Sequence, residues 1–248
     1  MGILRQGIEG CIVVNMSHNR SDSYRKEDKY LLAISEYYYL KKYLDCYMSY
    51  DSHAGVEGYT VKSLYFDSVY DNDLRAVIQG ISNKNKIRIR IYNNNFNKAK
   101  LEYKCKWDNV GKKYTLALTR EEIEQMIKCE YAFLLKREES FAKEIYIRMV
   151  TENYLPKITI QYQRQVQVHP VQHTRITFDR GLRASCNISD FFSTKKNIGY
   201  YFQNENVGVL EVKYDSFLMS NIKQALSHID YLECSNSKYE KARRLFYE

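Results

Sequence analysis

Arginines and lysines that share single strand faces are the residues of this sequence best suited to chemistry. In the segment KIRIRIY, Lys86, Arg88 and Arg90 lie on one face of a predicted strand and three isoleucines lie on the other. In LEYKCKW, Glu102 and Lys104 alternate with apolar residues in the same way. Because like charges on neighbouring strands repel one another, these faces indicate an anion between the strands. Arg binds phosphate through paired hydrogen bonds and Lys provides a point charge, so a phosphate chain is the ligand that suits them.

The same alternation recurs later in the chain. Tyr162 and Arg164 share a face in ITIQYQRQV, and Glu211 and Lys213 share one in VLEVKY. A solvated face is the common explanation for any single strand, but solvated faces usually mix Ser, Thr and both charges. Taken together, the cationic faces favour a closed sheet with a wet, charged interior and apolar outer faces under helices. The carboxylates on these faces are expected to hold a hard divalent cation that bridges phosphate oxygens, and they are Glu27, Glu102 and Glu211.

The elements that position these residues follow from the hydrophobic periodicity. The predicted strands cover residues 24–30, 59–66, 86–92, 99–107, 112–118, 157–168, 175–178 and 207–214. The predicted helices cover residues 31–48, 120–129, 138–150, 216–230 and 237–247. Thr119, followed by Glu121 and Glu122, is typical of a helix N-cap, whereas Asn72 and Gly80 indicate a turn. This order predicts an antiparallel α+β domain.

Composition narrows the class of protein. The sequence has 38 Lys and Arg against 30 Asp and Glu, a formal net charge of +8 that favours a polyanionic partner. No run approaches the roughly 18 apolar residues of a membrane span, so we expect a soluble, cytoplasmic protein. The six cysteines are widely spaced without a C-x-x-C motif, which argues against a zinc site. Residues 1–22 are poorly patterned, and 23–248 are predicted to form a single domain.

Eight motifs in order resemble the VTC-type polyphosphate polymerase domain, a branch of the triphosphate tunnel metalloenzymes (the CYTH superfamily). They are YRKEDKYLL, VKSLYFDS, KIRIRIY, LEYKCKW, IQYQR, RITFD, LEVKY and NSKYEKA. The resemblance implies an α+β fold in which an eight-stranded antiparallel β-barrel, covered by helices, forms a tunnel with a basic interior. It also implies transfer of the terminal phosphate of ATP to a growing chain of inorganic polyphosphate, with Mn²⁺ or Mg²⁺ as cofactor.

The resemblance assigns roles to individual residues. The implied catalytic residues are Arg88, Arg90, Arg164 and Lys238. The implied phosphate-binding residues are Arg25, Lys29, Lys104, Lys113, Tyr162, Lys213 and Ser237, of which Ser237 joins Lys238 on a helix that closes one tunnel mouth. Glu211 is the implied metal ligand. Glu27 and Glu102 are either further metal ligands or counter-ions of the crowded cations.

One departure from the superfamily bears on the activity. Hydrolytic members begin with E-x-E-x-K, whereas here the same positions are Arg25, Glu27 and Lys29. Loss of the first Glu weakens a two-metal site and favours the polymerase branch. Hydrolysis of tripolyphosphate or a nucleoside triphosphate, and a non-catalytic polyphosphate- or nucleotide-binding module, stay open as alternatives. Nucleic acid is not expected as a partner, since the sequence has no nucleic-acid-binding motif.

The resemblance also bears on membrane partners. The family's polymerase is joined to an SPX domain and a membrane anchor, and neither is recognised in these 248 residues. No membrane span is expected in this chain, and a separate membrane partner is one candidate for the role of the anchor.

Overall fold

The computed structural model describes residues 26–107, 110–233 and 237–247. Within these ranges the chain forms eleven β-strands and six α-helices. The strands are β1 (Lys26–Ala33), β2 (Ser49–Tyr50), β3 (Tyr59–Ser68), β4 (Lys84–Tyr92), β5 (Asn95–Trp107), β6 (Val110–Leu118), β7 (Tyr154–His169), β8 (Thr174–Ser185), β9 (Tyr200–Tyr201), β10 (Val207–Tyr214) and β11 (Leu232–Glu233). The helices are α1 (Ile34–Leu44), α2 (Asn72–Ile78), α3 (Arg120–Ile127), α4 (Ser140–Thr151), α5 (Ser220–Ser227) and α6 (Lys238–Arg244).

All eleven strands belong to one antiparallel sheet, and this corrects the predicted eight-stranded barrel. The pairing order is β11-β1-β10-β8-β7-β3-β4-β5-β6, with β2 on β7 and β9 on β8. In the described residues β6 pairs with β5 alone, so hydrogen bonds do not close the sheet. Tyr30 and Leu31 of β1 pair with β11, which therefore covers the edge that β6 would need. The strands β2, β9 and β11 have two residues each, too few for an alternating pattern to reveal them.

Apolar outer faces and helices form two of the cores that hold the sheet. Ile87, Ile89 and Ile91 of β4 are fully buried in a cluster that includes residues of α3 and α4. On the other side, Tyr37 of α1 stacks on Phe178 of β8 with 3.6 Å between ring centroids. Each such side chain contributes about 1.5–3 kcal/mol by leaving water. The alternation predicted from the sequence is thus confirmed, because the isoleucines of KIRIRIY face a helix layer.

Most of the predicted helices and strands are present with shifted ends, and one local prediction, the turn at Asn72, is wrong. Thr119 caps α3 in a reciprocal capping box with Glu122, as the sequence indicates. The region at Asn72, predicted as a turn, is helix α2. Its first turn is capped by Asp67, whose carboxylate accepts hydrogen bonds from the backbone N–H groups of Asp73 and Leu74, each at 3.0 Å. That cap comes from the end of β3 rather than from a residue directly before the helix, so the local pattern does not show it.

No helix among the described ranges has the length and apolar character needed to cross a membrane. The segment 1–22 lies outside the described residues.

Candidate active site

A cavity of about 340 Å³ lies inside the curve of the sheet. Each of the eight long strands contributes a lining side chain, and Lys238 of α6 adds one more. Among the described residues the lining comprises ten Lys or Arg, three Glu and four Tyr. The lining is Glu27, Lys29, Tyr59, Tyr65, Lys86, Arg88, Arg90, Tyr92, Glu102, Lys104, Lys113, Tyr162, Arg164, Arg175, Glu211, Lys213 and Lys238. Its excess of seven positive formal charges compares with +8 for the whole chain, so the cavity concentrates the protein's positive charge.

The structure brings twelve of the fourteen residues predicted for the site into this cavity. Ser237 lines an adjoining cavity and caps α6 through a hydrogen bond from the Glu240 backbone N–H at 3.4 Å. Arg25 lies outside the described residues. The roles assigned to these residues from the resemblance stay predictions, since position alone does not test a role.

Glu102 binds three cations of the cavity. It pairs across the strands with Arg88, whose Nη2 lies 2.7 Å from Oε2, and Lys113 Nζ lies 2.5 Å from Oε1. Arg90 Nη1 is 3.5 Å from Oε2. Burial would raise the pKa of Glu102, but Arg88, Arg90 and Lys113 hold it well below its ordinary range. Because three cations surround Glu102 and only 4% of its side chain is exposed, against 30% for Glu27, the geometry favours the counter-ion role for Glu102.

Asp179 binds the cations on the opposite wall. Arg164 donates to it through Nε and Nη2 at 2.6 and 2.7 Å, and Lys238 Nζ lies 2.8 Å from Oδ2. Asp179 is fully buried, yet the two cations keep its pKa well below the ordinary value. Both cations also lie over the ring of Tyr162, at 5.3 and 5.2 Å from its centroid. The sequence alone does not single out Asp179, the last residue of the motif RITFD, because its partners come from other elements.

A glycine fixes the backbone at Arg164. Gly58, just before β3, has φ +76°, and a Cβ there would lie 2.2 Å from the Arg164 carbonyl oxygen. Only glycine combines this backbone conformation with so close an approach. The position of Arg164 on β7 is therefore set by packing against the β3 entry as well as by Asp179.

Glu27 and Glu211 form a carboxylate pair on the adjacent strands β1 and β10. Lys213 Nζ lies 3.2 Å from Glu27 and 2.6 Å from Glu211, and Lys29 lies 2.6 Å from Glu27. Burial opposes ionisation of Glu27, but Lys213 and Lys29 outweigh it and lower its pKa to about 2. Burial likewise opposes ionisation of Glu211, but Lys213 and Arg164 lower its pKa below the ordinary value, so both groups are ionised oxygen donors at neutral pH.

This pair fits a divalent cation that shares its ligands with a substrate. Mg²⁺ is commonly held by one or two carboxylates together with phosphate oxygens, and Mn²⁺ also prefers oxygen ligands. Among the described residues no group of three or more His, Cys, Asp or Glu is arranged to hold a metal ion. Glu27 and Glu211 would thus supply only part of a coordination shell.

Two cavity groups have pKa values displaced toward neutrality. Burial lowers the pKa of Lys86 to about 8, helped by Arg88, Lys104 and Lys29. Burial would raise the pKa of Tyr65, but Arg88 and other cations lower it to about 8. Arg88 Nη1 donates to the Tyr65 hydroxyl at 2.8 Å. Sequence reasoning did not select Tyr65, whose motif VKSLYFDS carries no sign of this contact.

Hydrogen bonds join helix α6 to the segment where β3 ends and α2 begins, and these bonds fix the position of Lys238. The Tyr239 hydroxyl donates to the buried Asp67 at 2.7 Å. Arg243 donates two hydrogen bonds to the carboxylate of Asp71, from Nη1 to Oδ1 at 3.0 Å and from Nη2 to Oδ2 at 2.9 Å. Tyr239 also stacks on Tyr65 with 5.2 Å between centroids. The helix is thereby linked to the cavity wall on the side of β3.

These features define a class: a sheet whose long strands surround one cationic cavity, the fold of the triphosphate tunnel proteins. Residues 24–247 match the VTC domain family, and the chain belongs to that family. A comparison with curated proteins finds no match.

Solved structures resemble the fold at low sequence identity. A Hippeastrum protein, a candidate adenylyl cyclase described as having a dominant triphosphatase activity, has a TM-score of 0.53 and 16% identity over 88% of this chain and 94% of that chain. A candidate adenylate cyclase from Bacillus halodurans has a TM-score of 0.48 and 12% identity over 89% of this chain and 96% of its own. At 16% identity the likeness to the Hippeastrum protein concerns the fold alone.

Proposed function

We propose that this protein transfers the terminal phosphate of ATP to a chain of inorganic polyphosphate, in a metal-dependent reaction within the cavity. The observation that carries the proposal is the lining of ten Lys or Arg against three Glu, counted over the described residues. Family membership and the tunnel fold support phosphoryl chemistry on triphosphate or polyphosphate chains. The finer choice of synthesis over hydrolysis rests on the resemblance to the polymerase branch.

Phosphoryl transfer requires positioning and charge neutralisation more than covalent chemistry by the protein. Arg88 and Arg164 are held by Glu102 and Asp179, so both guanidinium groups are oriented before a substrate arrives. Pre-oriented donors stabilise developing charge without a cost of reorganisation. We therefore assign Arg88, Arg90 and Arg164 to the transferred group and Lys29, Lys104 and Lys238 to the rest of the chain.

The reaction needs no strong general base. An oxygen of the acceptor phosphate is already ionised near neutral pH; it attacks the γ-phosphorus of ATP as the bond from that phosphorus to the β–γ bridging oxygen breaks. ADP leaves with the electron pair of that bond, and the chain is longer by one phosphate. A divalent cation held by Glu27 and Glu211 would neutralise phosphate oxygens when bound. Lys213, between the two carboxylates, keeps them ionised.

Hydrolysis of a triphosphate is the second candidate. It is favoured by the similarity in fold to the Hippeastrum protein, for which a dominant triphosphatase activity is described. The same cavity would then bind the triphosphate, and water would replace the phosphate chain as acceptor.

One assay separates these functions. Purified protein is incubated with ATP and Mn²⁺, and both acid-insoluble polyphosphate and free phosphate are measured. We expect polyphosphate from the wild type and from Glu124→Gln, a control whose carboxylate pairs with Arg120 on the exposed face of α3, and none from Glu211→Gln. Free phosphate without polymer would contradict the proposal and support hydrolysis. If neither product forms and calorimetry shows that tripolyphosphate binds, the protein is a binding module without catalytic activity.

A further inference from the structure

A second cavity, of about 280 Å³, lies against the outer face of strands β7 and β8. Side chains alternate along β7, and because Tyr162 and Arg164 line the central cavity, Gln161 and Gln163 face the other side of the sheet. Both glutamines line the second cavity, which we call the outer pocket. Among the described residues Tyr162 alone lines both cavities, so the outer pocket is separate from the central one and has its own set of polar groups.

The outer pocket is preformed, because side chains of the sheet hold the segment that carries Lys196. Gln161 Nε2 donates a hydrogen bond to the Lys196 carbonyl oxygen at 2.5 Å. Arg183 of β8 donates to the carbonyl oxygens of Ile198 and Gly199 at 2.9 and 2.8 Å. These bonds fix the segment although it has no regular secondary structure. A ligand therefore meets a wall that is already in place, and its binding does not bear the entropic cost of ordering that wall.

The charge of the outer pocket differs from that of the central cavity. Its lining contains the cations Arg180 and Lys196 and the carboxylate of Glu205, a net formal charge of +1 over the described residues. In the part of the chain that the structure describes, none of these three side chains forms an ion pair, whereas in the central cavity Arg88 is paired with Glu102. Two cations with no carboxylate partner attract an anion. The small excess of charge suits a ligand with a single phosphate, not a long phosphate chain.

Tyr201 gives the outer pocket an aromatic surface. The residue is 39% exposed, and the Arg183 guanidinium lies 4.0 Å from the centroid of its ring. Amide side chains add hydrogen-bond donors and acceptors, and they are Gln161, Gln163, Asn197 and Asn206. Gln161 is 5% exposed, and because its Nε2 is bonded to a carbonyl, its Oε1 is left without a partner among the described residues. An N–H or O–H group of a ligand, or a water molecule bound by that ligand, would pair with this oxygen.

We propose that the outer pocket is a second binding site, and that it takes a nucleoside monophosphate. Arg180 and Lys196 bind the phosphate, since charge-assisted hydrogen bonds from these side chains are the strong contacts of phosphate groups. The base packs on the ring of Tyr201, and the amide side chains bond to its polar edge. The carboxylate of Glu205 accepts hydrogen bonds from sugar hydroxyls. The inference does not depend on the proposed function, because the site lies outside the central cavity.

The test is a calorimetric titration of AMP into two matched double variants, with and without excess tripolyphosphate to occupy the central cavity. Arg180→Gln/Lys196→Gln removes the two cations of the outer pocket. Lys128→Gln/Lys143→Gln removes two exposed lysines of the α3–α4 region and serves as the control. We expect AMP to bind the pocket variant about tenfold more weakly, and the control variant to match the wild type. Adenosine and inorganic phosphate, which each lack one half of the ligand, should both bind the wild type about tenfold more weakly than AMP.

A second pair of variants guards against a change in the fold. Arg180 also donates to the Tyr38 hydroxyl, so its replacement removes a contact of the folded protein. Lys196→Glu changes only an exposed side chain, and Tyr201→Ala removes only the aromatic surface. Each single variant should weaken AMP binding by about tenfold while its urea unfolding midpoint stays at the wild-type value.

Other results would overturn the inference. Displacement of AMP by tripolyphosphate would place the nucleotide in the central cavity. Inorganic phosphate that bound as tightly as AMP would show a plain anion site, and equal losses in the two double variants would show a general charge effect. Wild-type affinity in Lys196→Glu and Tyr201→Ala, or no binding of AMP to the wild type, would also refute the site. If AMP bound in the outer pocket but tripolyphosphate did not bind at all, the inference would stand and the proposed function would fail.

Discussion

Lys238, the first residue of α6, forms an ion pair with the fully buried Asp179 of β8, with 2.8 Å between Nζ and Oδ2. The same carboxylate binds Arg164 of β7. A helix near the C-terminus, and two strands of the sheet, thus meet at one buried charge. The position of two cations that we assign to phosphate binding depends on this carboxylate.

Asp179→Asn should lower the free energy of unfolding by about 3 kcal/mol, because it leaves two buried cations without their partner. Urea unfolding at neutral pH measures the change, and exposed Glu124→Gln should change it by less than about 0.5 kcal/mol. Since the folded state lowers the pKa of Asp179, its contribution is present at neutral pH and is lost as pH falls below the pKa of the unfolded carboxyl. The loss of stability in acid should therefore be shallower in the variant. An equal acid dependence in both proteins would refute this role.

Substitution of Glu102 should mainly lower the stability of the fold, whereas substitution of Glu211 should mainly abolish metal binding. Glu102→Gln removes the partner of three cations and should cost about 3 kcal/mol of stability in metal-free buffer. Glu211→Gln loses one partly exposed partner, Lys213, and should cost about 1 kcal/mol or less. Mn²⁺ binding in the presence of a non-hydrolysable ATP analogue should be lost in Glu211→Gln. Should Glu102→Gln instead fold normally and lose Mn²⁺, Glu102 is a metal ligand and our assignment is wrong.

The affinity for tripolyphosphate should fall as pH rises through about 8. Lys86 and Tyr65, with pKa values lowered to about 8, each lose a proton there, so the cavity loses one positive charge and gains one negative charge. We expect a loss of about tenfold in affinity between about pH 7 and about pH 9, and a flatter profile in Lys86→Gln/Tyr65→Phe. Lys62, whose ammonium group donates to the Ser193 carbonyl outside the cavity, also has its pKa lowered to about 8. Its titration would change the stability of the fold in the same pH range, so the affinity for the ligand is measured instead. An unchanged profile in the double variant would exclude both groups.

The contacts that hold α6 against Asp71 should affect the affinity for tripolyphosphate only by positioning Lys238. Arg243→Gln breaks the two contacts to Asp71 and should cost about 2 kcal/mol of stability. It should also weaken tripolyphosphate binding, and that second effect should vanish when Lys238→Gln is already present. Calorimetry on the four proteins of this double-mutant cycle gives the coupling. Additive effects on Kd would show that Arg243 supports the fold without positioning Lys238.

The charged and apolar faces could be predicted from the sequence because strand alternation is a local property. The isoleucines beside Arg88 and Arg90 needed only their spacing in the sequence to be assigned to the core. Helix α2 could not be predicted in this way, since its cap comes from Asp67 at the end of the preceding strand.

The open edge and the ion pairs depend on tertiary structure. Two-residue β11 covers the edge of β1, and no periodic pattern marks so short a strand. Asp179 is a single acid at the end of the motif RITFD, and its importance arises from Arg164 and Lys238, which come from other elements. Tyr65 acquires its lowered pKa in the same way, from cations on neighbouring strands.

Calorimetric titration of tripolyphosphate into Lys104→Gln tests most directly the central claim, that the cavity cations bind a phosphate chain. Lys104 lines the cavity and forms no ion pair within the described residues, so its removal should leave the protein folded. Exposed Lys42→Gln on α1 removes the same charge outside the cavity. We predict about tenfold weaker binding for Lys104→Gln and wild-type binding for Lys42→Gln. Equal affinity in all three proteins would contradict the account.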